Sequence, residues 1–167
     1  MSDALRIAVL EHDDRGASGR LAAALREQGA HADPIRPGRL PDAPLRLRKI
    51  GEAPGRVPGT LVALATGAYD VAHAFTAQDA AAALAWARFS RSPVVYTQRE
   101  PLTRANVADR RLRLALLRLA LERSTAVVAP DEEVAGSLRR WMAVEPHVLS
   151  LDSGAEHLAL YTELRRR

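Results

Sequence analysis

The chain has 167 residues, of which 47% are hydrophobic and 4% aromatic, so it can form one α/β domain with a core of mainly Ala, Leu and Val. Its formal net charge is +4, Lys49 is the only lysine, and no arginine–aromatic interleaving or zinc pattern occurs, so a nucleic-acid partner is not indicated. The absence of cysteine excludes disulfides, thiol catalysis and cysteine-ligated metals, and it is typical of a reducing cytoplasm.

Short apolar runs alternate with helical patterns along the whole chain. In chain order, the patterns predict strands at residues 5–10, 30–35, 70–74, 94–97, 125–129 and 147–151. Helices are predicted at residues 18–28, 60–66, 77–90, 106–123, 131–141 and 155–164, with Ser18 and Asp131 as N-caps and Gly29 just after the first helix. Alternation of this kind predicts a doubly wound Rossmann-like α/β fold, with about six mostly parallel strands and helices on both faces.

Two segments depart from this regular pattern. Residues 34–58 hold six of the ten prolines together with several arginines, which predicts a long basic loop. The helix at residues 106–123 carries leucines at almost every angle, which favours burial in the core; the alternative is a basic amphipathic helix lying on an anionic membrane. Neither a signal-peptide core nor an apolar run long enough to span a bilayer is found, so a cytoplasmic location is expected, peripheral to the inner membrane face if that helix binds lipid.

Polar residues follow the predicted strands and mark candidate binding positions, because ligands of parallel sheets bind at the carboxyl ends of the strands. The turn at Gly16 and Gly19, with Ser18, opens a helix whose N-terminus can bind an anion. His73 lies near the carboxyl end of one predicted strand and Thr76 follows that strand, while Arg99 and Glu100 follow the next. An arginine side chain suits phosphate or carboxylate, but it cannot act as a general base at neutral pH. No metal site is predicted.

Several of these motifs, taken in order, resemble the N-terminal half of family-4 glycosyltransferases, which are retaining enzymes of the GT-B fold. The resemblance covers nearly the whole chain. The segments that carry it are Arg-Gly-Ala-Ser-Gly at 15–19, Glu-Gln-Gly-Ala-His at 27–31, Asp-Val-Ala-His-Ala-Phe at 70–75, Pro-Val-Val-Tyr-Thr-Gln-Arg at 93–99, Ser-Thr-Ala-Val-Val-Ala-Pro-Asp at 124–131 and Val-Leu-Ser-Leu-Asp-Ser-Gly-Ala-Glu at 148–156.

The resemblance implies an acceptor-binding domain over residues 1–154, followed by a C-terminal helix and arginine tail over residues 155–167, without a donor-binding domain. It adds Gly154 to the substrate-binding candidates. It implies hexosyl transfer from a nucleotide sugar only with a separate donor-binding subunit, no cofactor in this chain, and a sugar or phosphorylated lipid as acceptor. Arg99 stands where the family usually has a histidine, and Phe75 replaces a second one. The catalytic residues are therefore not assigned.

Two alternatives remain from the sequence. The first is a catalytically inactive descendant that binds a sugar, a lipid phosphate or a protein partner. The second is a response-regulator receiver, because the acidic segment 11–14 is similar to the opening of that family. A receiver needs a phosphoacceptor aspartate at the end of the middle strand, where Ala74 and Phe75 stand instead.

Overall fold

The computed structural model describes residues 4–10, 16–35, 56–104 and 111–167. The strands are β1 (Arg6–Leu10), β2 (His31–Ile35), β3 (Val71–Ala74), β4 (Val94–Thr97), β5 (Ala126–Ala129) and β6 (His147–Val148). The helices are α1 (Ala17–Glu27), α2 (Arg56–Gly67), α3 (Ala77–Ser90), α4 (Arg111–Arg123), α5 (Glu132–Met142) and α6 (Gly154–Arg166).

The six strands form one sheet in the order β2-β1-β3-β4-β5-β6, and every neighbouring pair is parallel. This confirms the predicted doubly wound α/β fold. After β2 the chain crosses back over β1 to form β3, so the switch point of the sheet lies between β1 and β3. In open sheets of this kind, the crevice outside the carboxyl ends at the switch point is the usual ligand site.

The central strands are mainly apolar because helices cover both faces of the sheet. Each residue of β3, β4 and β5 is buried. One hydrophobic cluster lies between the sheet and the helices α2, α3, α4 and α5, and the other lies between the sheet and the pair α1 and α6. The two clusters lie on opposite faces of the sheet and consist mainly of Ala, Leu and Val, as the composition predicts.

Local capping residues set the start of α5 and the end of α1. Asp131 caps α5, as predicted, and its carboxylate accepts a hydrogen bond of 2.9 Å from the Val134 N–H. Gly29 follows α1 with a φ of 84° and donates to the Arg26 carbonyl at 2.9 Å, which is the left-handed C′ position predicted for it.

Three sequence predictions are corrected by the structure. The N-cap of α1 is Gly16 rather than Ser18, because the helix already begins at Ala17. The ends of the predicted loop at 34–58 are regular structure, since β2 runs to Ile35 and α2 begins at Arg56; residues 36–55 lie outside the described part of the chain. The last strand ends at Val148 instead of residue 151.

The prediction that the leucines of α4 are mainly core residues is also wrong. Ala120 and Leu121 are buried and Leu117 packs against the core, but Leu112 and Leu119 are 74% and 40% exposed. The first part of the predicted helix, residues 105–110, lies outside the described residues. None of the helices in the described ranges is long and apolar enough to cross a membrane.

Candidate functional site

The N-terminus of α1 lies at the carboxyl edge of the sheet, beside the switch point. Gly16 adopts a left-handed backbone with φ 67° and ψ 6°, and it makes no side-chain cap hydrogen bond. Glycine is needed here because a side chain strains this backbone conformation. The first turn of α1 contains no acidic residue. The positive end of this helix is therefore not compensated by a side chain of its own.

Ser18 and Gly19 occupy the first turn of the same helix. Ser18 is only 2% exposed, and its Oγ has no hydrogen-bond partner in the described part of the chain. Gly19 is exposed, and apart from its chain neighbours and the local helix backbone, no described atom lies within 4 Å of the position where a Cβ would stand. A buried hydroxyl without a partner costs free energy.

His73 is fully buried, and both of its ring nitrogens are engaged. Its Nδ1 is hydrogen-bonded to the hydroxyl of Tyr161 on α6, and its Nε2 lies 2.6 Å from Thr97 Oγ1 at the end of β4. The ring of Phe75 stacks on the imidazole, with centroids 4.6 Å apart and planes inclined by 6°. His73 therefore joins β3, β4 and α6 from inside the core and does not face solvent.

A second histidine completes this buried polar cluster. His157 on α6 lies with its ring centroid 5.6 Å from that of His73, and its Nδ1 is 3.4 Å from the Tyr161 hydroxyl. Burial holds the pKa of His73 well below its ordinary value, and repulsion from His157 acts in the same direction. Burial also lowers the pKa of His157, against smaller opposing contributions from the Ser150 backbone and Glu156. Both imidazoles are therefore neutral at pH 7.

Thr76 caps α3 at the carboxyl end of β3. Its hydroxyl donates to Asp79 Oδ2 at 2.7 Å and accepts from the Asp79 N–H at 3.1 Å, a reciprocal capping arrangement. Asp79 is 1% exposed and also accepts a bond of 3.4 Å from the Thr60 hydroxyl of α2. Thr76 is therefore half-buried and fixed by the helix that it begins.

The loop after β4 is held by a short chain of hydrogen bonds. The Tyr96 hydroxyl donates to Gln98 Oε1 at 2.7 Å, and Gln98 Nε2 donates to the Glu100 carbonyl at 2.8 Å. Burial raises the pKa of Tyr96, and the positive charge of Arg99 partly offsets that rise. Arg99 is half-buried and Glu100 is exposed, and both engage in further contacts. Hydrogen bonds therefore hold the backbone of this loop, which carries the cationic Arg99 and the anionic Glu100.

Gly154 begins α6 and is buried against α1. A Cβ at this position would lie 2.4 Å from the carbonyl oxygen of Ala24. Ala24 is eight residues beyond Gly16, or roughly 12 Å along the helix axis. The glycine allows α6 to pack closely on α1, and the structure does not place it beside the start of α1.

The predicted site residues therefore fall into two groups. Gly16, Gly19, Thr76, Arg99 and Glu100 follow parallel strands at the carboxyl edge, whereas Ser18, His73 and Gly154 are buried.

Tyr161 and His157 were not predicted. Their spacing of four residues places both on one face of α6, and that spacing is the only signal for them in the sequence. No group of three metal-ligating side chains occurs within the four described ranges.

The family comparison covers most of the chain. Residues 13–150 match the sequence model of Glycosyltransferase Family 4. No curated protein matches the chain significantly.

Solved structures share the fold. A shorter chain of sucrose-phosphate synthase from Thermosynechococcus elongatus superposes with a TM-score of 0.67 at 15% identity, covering 95% of this chain and 98% of that one. A longer chain of the same synthase superposes with a TM-score of 0.66 at 14% identity, and the match covers 87% of this chain and 47% of the synthase chain. Anabaena HepE, solved in complex with UDP and glucose, superposes with a TM-score of 0.56 at 13% identity, and the match covers 87% of this chain and 44% of the HepE chain. This chain therefore spans about half the length of the two longer proteins.

Proposed function

The chain belongs to Glycosyltransferase Family 4, and we propose that it forms the acceptor-side domain of a glycosyltransferase. In this proposal the carboxyl edge of the sheet binds a sugar or phosphorylated acceptor. Glycosyl transfer then requires a second domain that binds the nucleotide sugar. This chain covers 47% of the longer sucrose-phosphate synthase chain, which supports the need for a second domain.

One observation carries the proposal: within the described residues, the start of α1 has neither a side-chain cap nor an acidic side chain in its first turn. Among α1, α3, α5 and α6, whose N-cap residues are all described, only α1 lacks both a side-chain cap bond and an acidic residue in its first turn. The buried Ser18 hydroxyl adds a polar group that has no hydrogen-bond partner among the described residues. Helix N-termini bind phosphate through free N–H groups and the helix dipole, so a phosphorylated acceptor suits this position.

The other edge residues suit the hydroxyl groups and charges of such an acceptor. Arg99 can bind a phosphate or carboxylate with its fork of donors, and Glu100 can accept from sugar hydroxyls. His73 is buried, so its role here is positional: it fixes Thr97, the residue from which the 98–101 loop starts. A neutral imidazole bridging two hydroxyls holds that loop without taking part in proton transfer.

Binding of the acceptor can be tested separately from catalysis. We expect isothermal titration of the full chain with a hexose phosphate to show binding that the non-phosphorylated hexose does not match. Gly19→Glu places a negative charge at the start of α1, where it repels a phosphate but does not weaken the helix. We expect this change to weaken hexose phosphate binding by about tenfold or more, because the added carboxylate repels the phosphate at the helix N-terminus.

Gly136→Glu provides the matched control. Gly136 lies on α5, and like Gly19 it has open space around its Cβ position, so the variant adds the same charge on another helix. Equal weakening by the two variants would mean that net charge governs binding, and the proposed site at α1 would be wrong. Absence of any hexose phosphate binding by the unaltered chain would count against the acceptor role altogether.

A catalytically inactive binding module is the second candidate, and the chemistry of Arg99 favours it. An arginine cannot serve as a base at neutral pH, and within the described residues the histidine of this edge is buried. The two candidates separate when the chain is mixed with a nucleotide-sugar-binding domain and a labelled nucleotide sugar. Transfer to the acceptor only in the mixture supports the enzyme, whereas acceptor binding without transfer supports the module.

A further inference from the structure

Helix α4 has a second apolar face that points away from the core. Leu112, Ala115, Leu116 and Leu119 follow the spacing i, i+3, i+4, i+7 and therefore form one stripe along the helix. Leu112 and Leu119 are 74% and 40% exposed, and Ala115 is exposed as well. The core is contacted from the other side of the helix by Leu117, Ala120 and Leu121. We call the four outward residues the α4 stripe.

Basic side chains border the α4 stripe. Arg113, Arg118 and Arg123 are exposed, and Glu122 is the one acidic residue in the Arg111–Arg123 helix. Arg118 flanks the stripe and Arg123 continues the row of Leu119 one turn later. A shallow recess of about 440 Å³ runs along this side of the helix, lined by Leu114, Ala115, Arg118, Leu119, Glu122 and Arg123. The surface therefore combines exposed leucines with an excess of positive charge.

We propose that the α4 stripe binds the surface of an anionic phospholipid bilayer. Helices that lie in a membrane interface place leucines below the headgroups and basic residues among the lipid phosphates, which is the distribution seen on α4. Pairing with α4 of a second copy would bring arginines of both copies together, so charge disfavours that occupant. Nucleic acid would leave the leucines in water. The inference is independent of the proposed glycosyl transfer.

Vesicle co-sedimentation of the full chain tests the proposal. We expect binding to vesicles of phosphatidylcholine with about one-third phosphatidylglycerol, and much weaker binding to pure phosphatidylcholine. Salt at about 1 M should remove most of the electrostatic contribution to vesicle binding, because the Debye length falls to about 3 Å. The double variant Leu112→Gln/Leu119→Gln should lose roughly tenfold or more in affinity. Arg113→Gln/Arg118→Gln should lose a similar amount, since each basic residue contributes roughly fivefold.

Val62→Gln is the matched control, because Val62 is 55% exposed on α2, a helix separated from α4 by α3. Circular dichroism checks that all variants fold. The proposal is overturned if the unaltered chain ignores anionic vesicles, or if the two-leucine variant binds as well as Val62→Gln. It is also overturned if light scattering shows a dimer that depends on the two leucines while vesicle binding is absent.

Discussion

Replacing Tyr161 by phenylalanine tests the buried cluster that joins the sheet to α6. The substitution removes only the hydroxyl, which is hydrogen-bonded to His73 Nδ1 and lies 3.4 Å from His157 Nδ1. The ring itself stays, with its edge contact to His73 at 5.8 Å between centroids. The change therefore isolates the hydrogen bonds from the packing of the aromatic side chain.

The expected loss follows from complete burial of both partners. Tyr161 and His73 are both 0% exposed, so no solvent replaces the hydroxyl when it is removed. Leaving a buried polar nitrogen without a partner costs about 1–3 kcal/mol. For a chain of this size, each kcal/mol lowers the melting temperature by about 2–4 °C. We therefore expect Tyr161→Phe to lower both the free energy of unfolding and the melting temperature.

Urea unfolding followed by circular dichroism measures this loss. The midpoint should shift while the slope stays constant, because the surface exposed on unfolding hardly changes. Tyr96→Phe is the control: its hydroxyl bonds to the half-buried Gln98, so water can replace the lost group at a lower cost. A loss for Tyr161→Phe that is no larger than the loss for Tyr96→Phe would refute the reasoning.

Three further predictions concern the pH dependence, a glycine contact and a helix cap. Because the folded protein holds the pKa of His73 well below the unfolded value of about 6.5, the unfolded state binds more protons, and stability should fall as pH drops below about 6.5. Urea unfolding at several pH values should show that the free energy of unfolding falls less steeply with decreasing pH in His73→Gln than in the unaltered chain. The same pH dependence in both proteins would contradict this account. Gly154→Ala should cost about 1–3 kcal/mol through overpacking, whereas Gly136→Ala should be neutral or stabilising, and thermal melts that rank the two in the opposite order would disprove the packing role. Asp131→Ala should cost about 0.5–2 kcal/mol, measured by chemical denaturation, and recovery by Asp131→Ser but not by Asp131→Val would identify the cap as the cause.

The fold was predictable because its signals are local. The bounds of α3 and β4 agree with prediction, since Thr76 and Pro93 mark their starts and the apolar runs are short and uninterrupted. Alternation of strands and helices also gives the parallel arrangement, because parallel neighbours need crossover helices. The edge positions of Thr76, Arg99 and Glu100 follow from the same rule.

The buried half of the candidate site was not predictable in the same way. His73 is hydrogen-bonded to Tyr161, 88 positions along the chain, and that contact depends on where α6 docks. Gly154 is a substrate-binding candidate in the sequence because of the 148–156 motif, but its close contact with Ala24 on another helix gives it a packing role. Ser18 has the chemistry of an N-cap, yet the left-handed backbone of Gly16 starts the helix first. Each of these outcomes depends on packing between distant elements.

Helix α4 shows why periodicity alone misjudged burial. Its leucines occupy two faces, and a pattern that is apolar on many sides usually indicates a buried helix. The sheet and α3 cover only one of these faces in the described structure. The elements that pack around a crossover helix depend on where the strands that it connects lie in the sheet. The sequence of the helix itself does not contain that information.

The docking of α6 also bears on how this domain can be cut or fused in the laboratory. Leu160, Tyr161 and Leu164 cover the same hydrophobic cluster as α1, and Arg165 forms an ion pair of 3.1 Å with Asp70 at the start of β3. A fragment that ends before Gly154 would leave that side of the sheet without half of its cover and expose apolar surface to other molecules. Chimeras made from this domain should therefore join their second module after α6, because a junction before it invites aggregation.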